Sequence, residues 1–215
     1  MGKKPKIGLF QEKLTDCSIS LTNHSLEGSL LVLTRSEFEK LRRSVQLPFY
    51  RVIMDVLFFS AARVSEALML TRDDIKTVRY RGYDFLLFHL KTLKRKQSEA
   101  GPVRVVPCLK EEVTPETLNH INGCRDFIFS SPWKSRKALT RQAIFKKLKQ
   151  IDPRLYPHVF RHSRLTDLAC ILNEYELSQV AGWKLKHKTA RHYIYLNWAS
   201  IADKIILKKE NFGYG

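Results

Sequence analysis

Between Phe85 and Leu90 the chain is almost unbroken in apolar residues, and β-prone residues return from Val103 to Val106. The connection carries Lys91, Thr92, Lys94, Arg95 and Lys96 and closes on Gly101-Pro102. Two β-prone runs across a polar, turn-rich link predict a β-hairpin with a basic tip, stopped at Pro107. Helix signals enclose it on both sides. Thr34 stands three residues before Glu37, with Leu33 ahead of it, which is the pattern of a capping box with a hydrophobic staple. Phe38, Leu41 and Val45 continue one apolar face, and a second helix begins near Pro48 and runs through Val52, Val56 and Phe59. Thr71-Arg72-Asp73-Asp74 reads as another cap, and Pro115 and Gly123 bracket a short helix. Thr140 caps a helix with Ile144 and Leu148 inward and Lys146, Lys147 and Lys149 outward. Phe127-Ile128-Phe129 reads as a short strand, and Trp198 through Leu207 as an amphipathic helix. The expected class is α+β, mainly α-helical with a small antiparallel β-hairpin or sheet.

A chain of 215 residues suits one medium domain or two small ones, and no boundary between two globular parts is visible. Residues 1–30 show little periodicity and contain Pro5, Gly8 and Gly28, so they read as a basic, loosely structured arm. Residues 31–198 read as one folded body, and 199–215 as a C-terminal helix or tail. The balance of 38 Lys and Arg against 21 Asp and Glu gives a formal charge of +17. Such an excess favours a polyanionic partner, most simply nucleic acid. Cys17, Cys108, Cys124 and Cys170 form no C-x-x-C pair, which fits reduced thiols in a cytoplasmic setting better than a disulfide framework or a zinc site. No apolar run is long enough for a membrane span, so no membrane partner is expected. M-G-K-K-P-K lacks the apolar core of a secretory signal, and Lys6 stands where myristoylation needs Ser or Thr.

The basic residues are not spread evenly. Phe127 to Ile151 contains seven Lys or Arg and no acid, including Lys134, Arg136, Lys137 and Arg141. Ser178 to Ser200 repeats the pattern with Lys184, Lys186, Lys188 and Arg191. Between them lies P-H-V-F-R-H-S, which puts His158 and Arg161 three apart at the start of a helix. Two acid-free windows flanking one His-Arg pair suit a groove that follows a phosphate backbone, with Lys94, Arg95 and Lys96 of the hairpin tip adding to it.

Alone, H-x-x-R is a weak motif, but three separated stretches agree. S-A-A-R-V-S-E-A-L-M-L-T-R-D-D-I resembles the first arginine segment of the tyrosine recombinases and phage-type integrases. P-H-V-F-R-H-S resembles their H-x-L-R-H segment, and A-G-W followed by T-A-R-H-Y resembles their Gly-His/Trp and nucleophile segment. Order and spacing fit from about Leu33 to Tyr195. The resemblance implies the tyrosine recombinase catalytic-domain fold.

Carried over by position, the resemblance makes Arg63 and Arg161 the two phosphate-clamping arginines. A guanidinium stays charged and can donate two parallel hydrogen bonds to phosphate oxygens. Glu66 is expected to orient its neighbours, and an Arg63–Glu66 salt bridge is the plain structural alternative for Arg63. His158 takes the general acid/base position, with His162 in support. Trp183 stands where His is usual; its indole can donate a hydrogen bond but cannot exchange a proton. For the hairpin lysine that protonates the departing oxygen, Lys91 is assigned, 28 residues after Arg63, with Lys94 as the alternate. Tyr193 keeps the Thr-x-x-x-Tyr spacing from Thr189 and is assigned as nucleophile, with Tyr195 as the alternate.

The implied activity is site-specific recombination by integration, excision or inversion. Double-stranded DNA would be cut and rejoined through a 3′-phosphotyrosine, with no cofactor and no metal. Implied partners are other copies of the chain, as a tetramer on DNA, and an accessory DNA-binding protein. The residues before Leu33 are too few for the separate helical domain usual in the family. A nucleoid-associated protein of a prokaryotic or viral mobile element is the expected setting. Two other readings share these residues: a type IB topoisomerase, and a degenerate member that only binds DNA.

Overall fold

The computed structural model describes residues 31–91, 103–130, 137–183 and 198–212. Helix α1 spans Arg35–Ser44 and opens on the expected box, in which Glu37 N–H donates to Thr34 Oγ1 and Glu37 Oε2 accepts from Thr34 N at 2.7 Å. Helix α2, Pro48–Phe59, is the central post: Val52 through Phe59 are all buried, Asp55 included. Its Phe58 ring stacks on Phe38 of α1 at 3.9 Å between centroids, and Phe160 meets Phe38 edge-on.

After the short helix α3, Val64–Leu68, come strands β1, Ile75–Tyr80, β2, Tyr83–Lys91, and β3, Val103–Leu109. They form a three-stranded antiparallel sheet in the order β1-β2-β3. Phe85 to Phe88 and Leu90 of β2 are buried, which is why the centre of the sheet reads as a continuous apolar run. The expected hairpin is β2–β3, but three details differ from expectation. Strand β3 passes through Pro107 to Leu109, because an edge strand has no neighbour needing that missing N–H. Strand β1 carries no clear sequence signal, because Lys76 and Arg79 interrupt it and none of its residues is fully buried. It turns into β2 at Arg81-Gly82, both with positive φ, as a two-residue hairpin requires. Phe127–Phe129 makes no strand; Thr71↔Phe127 is an isolated bridge, and Ile128 and Phe129 fill the core instead.

The remaining helices are α4, Pro115–Gly123, α5, Arg141–Ile151, α6, Pro157–Ala169, α7, Glu174–Ala181, and α8, Trp198–Phe212. On α5, Ile144 and Leu148 are buried as expected, but Lys147 is not freely solvated. Its ammonium lies 5.5 Å and 5.1 Å from the Phe49 and Tyr50 ring centroids. Helix α8 packs on β3 and buries Ile201, Ala202, Ile205 and Ile206. Lys204–Glu176 and Lys208–Asp167 ion pairs tie it to α7 and α6. Among the described residues no helix is long and apolar enough to cross a membrane.

Candidate active site

The chain leaves α2 through Ser60 and Ala61, and Ala61 takes φ 47°, a left-handed conformation that strains a residue bearing Cβ. This sharp turn aims the Ala61 carbonyl inward and delivers Arg63 to the position just before α3. There the Arg63 N–H donates to Glu66 Oε2 at 2.8 Å and Arg63 Nη1 donates to Glu66 Oε1 at 2.8 Å. The salt bridge that was the plain structural alternative for Arg63 thus exists.

Helix α6 starts at Pro157, and its first two turns carry His158, Arg161 and His162. Arg161 is buried. Its Nη1 donates to the Ala61 carbonyl and its Nη2 to the Ala181 carbonyl at 2.6 Å. Ala181 is the last residue of α7, which stops because Gly182 turns left-handed at φ 62° and Trp183 N–H returns to the Ser178 carbonyl. The end of a helix exposes carbonyls that favour cations, and here guanidinium groups fill the place. Arg161 therefore joins all three resembling segments: S-A-A-R through Ala61, H-V-F-R-H through itself, and A-G-W through Ala181.

A residue missed in the sequence completes this cluster. Arg104 of β3 is buried, donating from Nη2 to Glu66 Oε2 at 2.6 Å and from Nε to the Val180 carbonyl at 2.9 Å. The available signal was strand phase. Arg104 alternates with Val106 and Cys108 on the buried face, while Val103 is 52% exposed.

The electrostatics follow from this crowding. Burial, then Arg63 and Arg104, lower the Arg161 pKa to about 10, opposed by Glu66. The group stays protonated at neutral pH, but the repulsion is real, and an anion would relieve it. Burial would raise the Glu66 carboxyl, yet Arg104 and then Arg63 hold it below its usual value. His158 is at the surface, 6.0 Å from His162 between ring centroids. Partial burial, then the charges of His162, Arg161, Arg63 and Arg141, hold its imidazole below 6.5, so it is largely neutral at pH 7. Arg141 also lines a cleft of about 600 Å³ with Thr140, Gln142 and Phe145.

Other expected residues stand as follows. Trp183 is 50% exposed beside the Gly182 turn. Lys91 ends β2 opposite Val103, 63% exposed, with Nζ 3.6 Å from Asp74 Oδ1. Lys137 and Arg141 are exposed. Lys94, Arg95, Lys96, Lys134, Arg136, Lys184, Lys186, Lys188, Tyr193 and Tyr195 lie outside the described residues.

Solved structures share this architecture. XerA recombinase aligns over 92% of this chain and 69% of its own, at 18% identity and TM-score 0.56. The XerH site-specific recombinase bound to its difH substrate aligns over 80% of this chain at 18% identity and TM-score 0.55. The Tn1549 transposon integrase in complex with transposon right end DNA aligns over 84% at 19% identity and TM-score 0.53. The fold is that of a tyrosine recombinase catalytic domain. The chain spans about half the length of the XerH chain, 52%, and 65% of the Tn1549 integrase chain. No protein-family model and no curated protein matches the sequence. The sheet lies beside α3 and α7, and the arginine cluster is a property of these particular side chains.

Proposed function

We propose that the protein is a site-specific DNA recombinase that cuts and rejoins double-stranded DNA through a 3′-phosphotyrosine. The observation that carries this reading is Arg161, whose guanidinium is bound by carbonyls of Ala61 and Ala181, two residues before Arg63 and two before Trp183. Two of its five N–H donors are engaged there, leaving donors for an oxyanion. In this reading the Tyr193 phenol oxygen attacks a phosphorus and the bond from phosphorus to the 5′ oxygen breaks. His158 takes the phenol proton, and Lys91, or Lys94 from the same hairpin, gives a proton to the departing 5′ oxygen. Arg63 and Arg161 hold the nonbridging oxygens, with the Trp183 indole N–H as a further donor. A 5′-hydroxyl of another duplex reverses the step, so the phosphodiester energy is kept in the covalent link.

The wider basic surface, with Lys137 and Arg141 in it, would track the backbone. Copies would assemble as a tetramer on DNA, with α8 exchanged between neighbours and an accessory DNA-binding protein aiding site choice. Loss of α8 without loss of synapsis would remove the exchange. The principal test is a library of nicked suicide duplexes incubated with wild type, Tyr193→Phe and Tyr195→Phe. A denaturant-resistant protein–DNA adduct that vanishes only in Tyr193→Phe is expected. An adduct surviving Tyr193→Phe but lost in Tyr195→Phe moves the nucleophile. No adduct from wild type across the library sinks the reading.

A further inference from the structure

Resting on the proposed role of Arg63 and Arg161 toward phosphate, we infer that Arg104 is a positioning residue that occupies Glu66 and so keeps Arg63 available to an incoming phosphate. Glu66 faces Arg63 with Oε1 at 2.8 Å and Arg104 with Oε2 at 2.6 Å. A buried carboxylate with Arg63 as its single cation would neutralise it and hold it by a full ion pair. With Arg104 sharing the carboxylate, the Glu66–Arg63–Arg104 group keeps a net positive charge. That charge is felt at Arg161, whose acidity is raised by Arg63 and Arg104 after burial.

Packing alone does not account for Arg104. Its Nη1 is buried with no hydrogen-bond partner among the described residues, a cost that an apolar side chain would avoid. The backbone is also shaped around it. A Cβ built on Gly182 would stand 3.1 Å from Arg104 Nη1 and 3.3 Å from its Cζ, so the guanidinium packs on the bare glycine. Through Nε it also holds the Val180 carbonyl, one residue before the carbonyl that holds Arg161. Strand β3 thereby ties the base of the basic hairpin to both arginines.

The experiment titrates full-length protein with inorganic phosphate and follows the Arg63 and Arg161 Nε–H signals by NMR with labelled arginine. Arg104→Gln, which is neutral yet still able to hydrogen-bond Glu66, should weaken phosphate binding about tenfold, the scale of one nearby charge at a partly buried site. Adding Glu66→Gln to Arg104→Gln should recover most of that loss, because Arg63 is no longer captured. Arg104→Lys keeps the charge and should stay within about threefold of wild type, even if Arg104→Gln does not fold. Unchanged binding in folded Arg104→Gln, no recovery in the double variant, or a tenfold loss in folded Arg104→Lys each overturns the inference. Phosphate binding in wild type without a DNA adduct would fail the recombinase reading alone. Absence of phosphate binding in wild type would overturn the positioning role itself.

Discussion

Two buried carboxylates in this protein are treated in opposite ways. Asp55, on α2, accepts from Arg42 Nη1 at 3.0 Å, from the Thr114 N–H and hydroxyl, and from the Thr117 hydroxyl at 2.8 Å. One arginine balances one acid, neutral donors saturate the rest, and the network ties α1, α2 and α4 together. Glu66 instead meets Arg63 and Arg104, with Arg161 close enough to be shifted by all three. The first arrangement is complete as it stands. The second carries surplus positive charge and spare donors at the meeting point of three segments, which is a cost to the empty fold and an asset toward an anion.

The contrast can be broken by experiment. Asp55→Ala should be the most damaging to folding, about 3–5 kcal/mol, because it strands Arg42 and two threonines. Thermal melting should fall by roughly 10 °C on that basis. Cleavage per folded molecule should not change; a large fall there would place Asp55 with Glu66 rather than apart from it. Arg161→Lys should do the reverse. An ammonium cannot hold both carbonyls and also fork to a phosphate, so single-turnover cleavage should drop about 10²–10³-fold. Near wild-type cleavage would remove Arg161 from the site.

Changes in pH sharpen the picture with a smaller effect. In the proposed reaction His158 takes the phenol proton and must be neutral to do so, and its imidazole is held below 6.5. Cleavage should therefore rise with pH through a midpoint below 6.5 and level off near neutrality. Because the unfolded chain takes up the proton first, stability should also fall as pH drops through that window. Arg63→Met should move the midpoint upward; a midpoint fixed in both proteins would separate His158 from the arginines. The smallest effect is expected at Ala61. Glycine removes a left-handed strain of about 1–2 kcal/mol but adds about 0.5–1 kcal/mol of chain entropy. Ala61→Gly should thus be stabilised by about 0.5 kcal/mol in a denaturant titration, and a destabilised variant would refute the strain argument.

Local chemistry made much of the fold legible. Thr34 with Glu37, Pro48, Pro115 and Thr140 mark helix starts by capping rules that act within a few residues, and all four stand where expected. The continuous apolar run of β2 announced a strand covered on both faces. Strand β1 escaped because an edge strand with charges on it lacks that signal. Phe127–Phe129 misled because β-prone side chains also serve a core without any strand partner.

The sequence by itself determined most of the helix starts, the β2–β3 hairpin and the order of Arg63, His158, Arg161 and Trp183, since caps and hydrophobic periodicity are short-range. Only the tertiary structure decided that Ala61, Arg161 and Ala181 meet, and that Arg104 stands behind Glu66. Residues 38 apart, as Arg104 and Glu66 are, leave no periodic trace of their pairing. A buried charge acquires its partner from packing, and packing is set by the whole core at once.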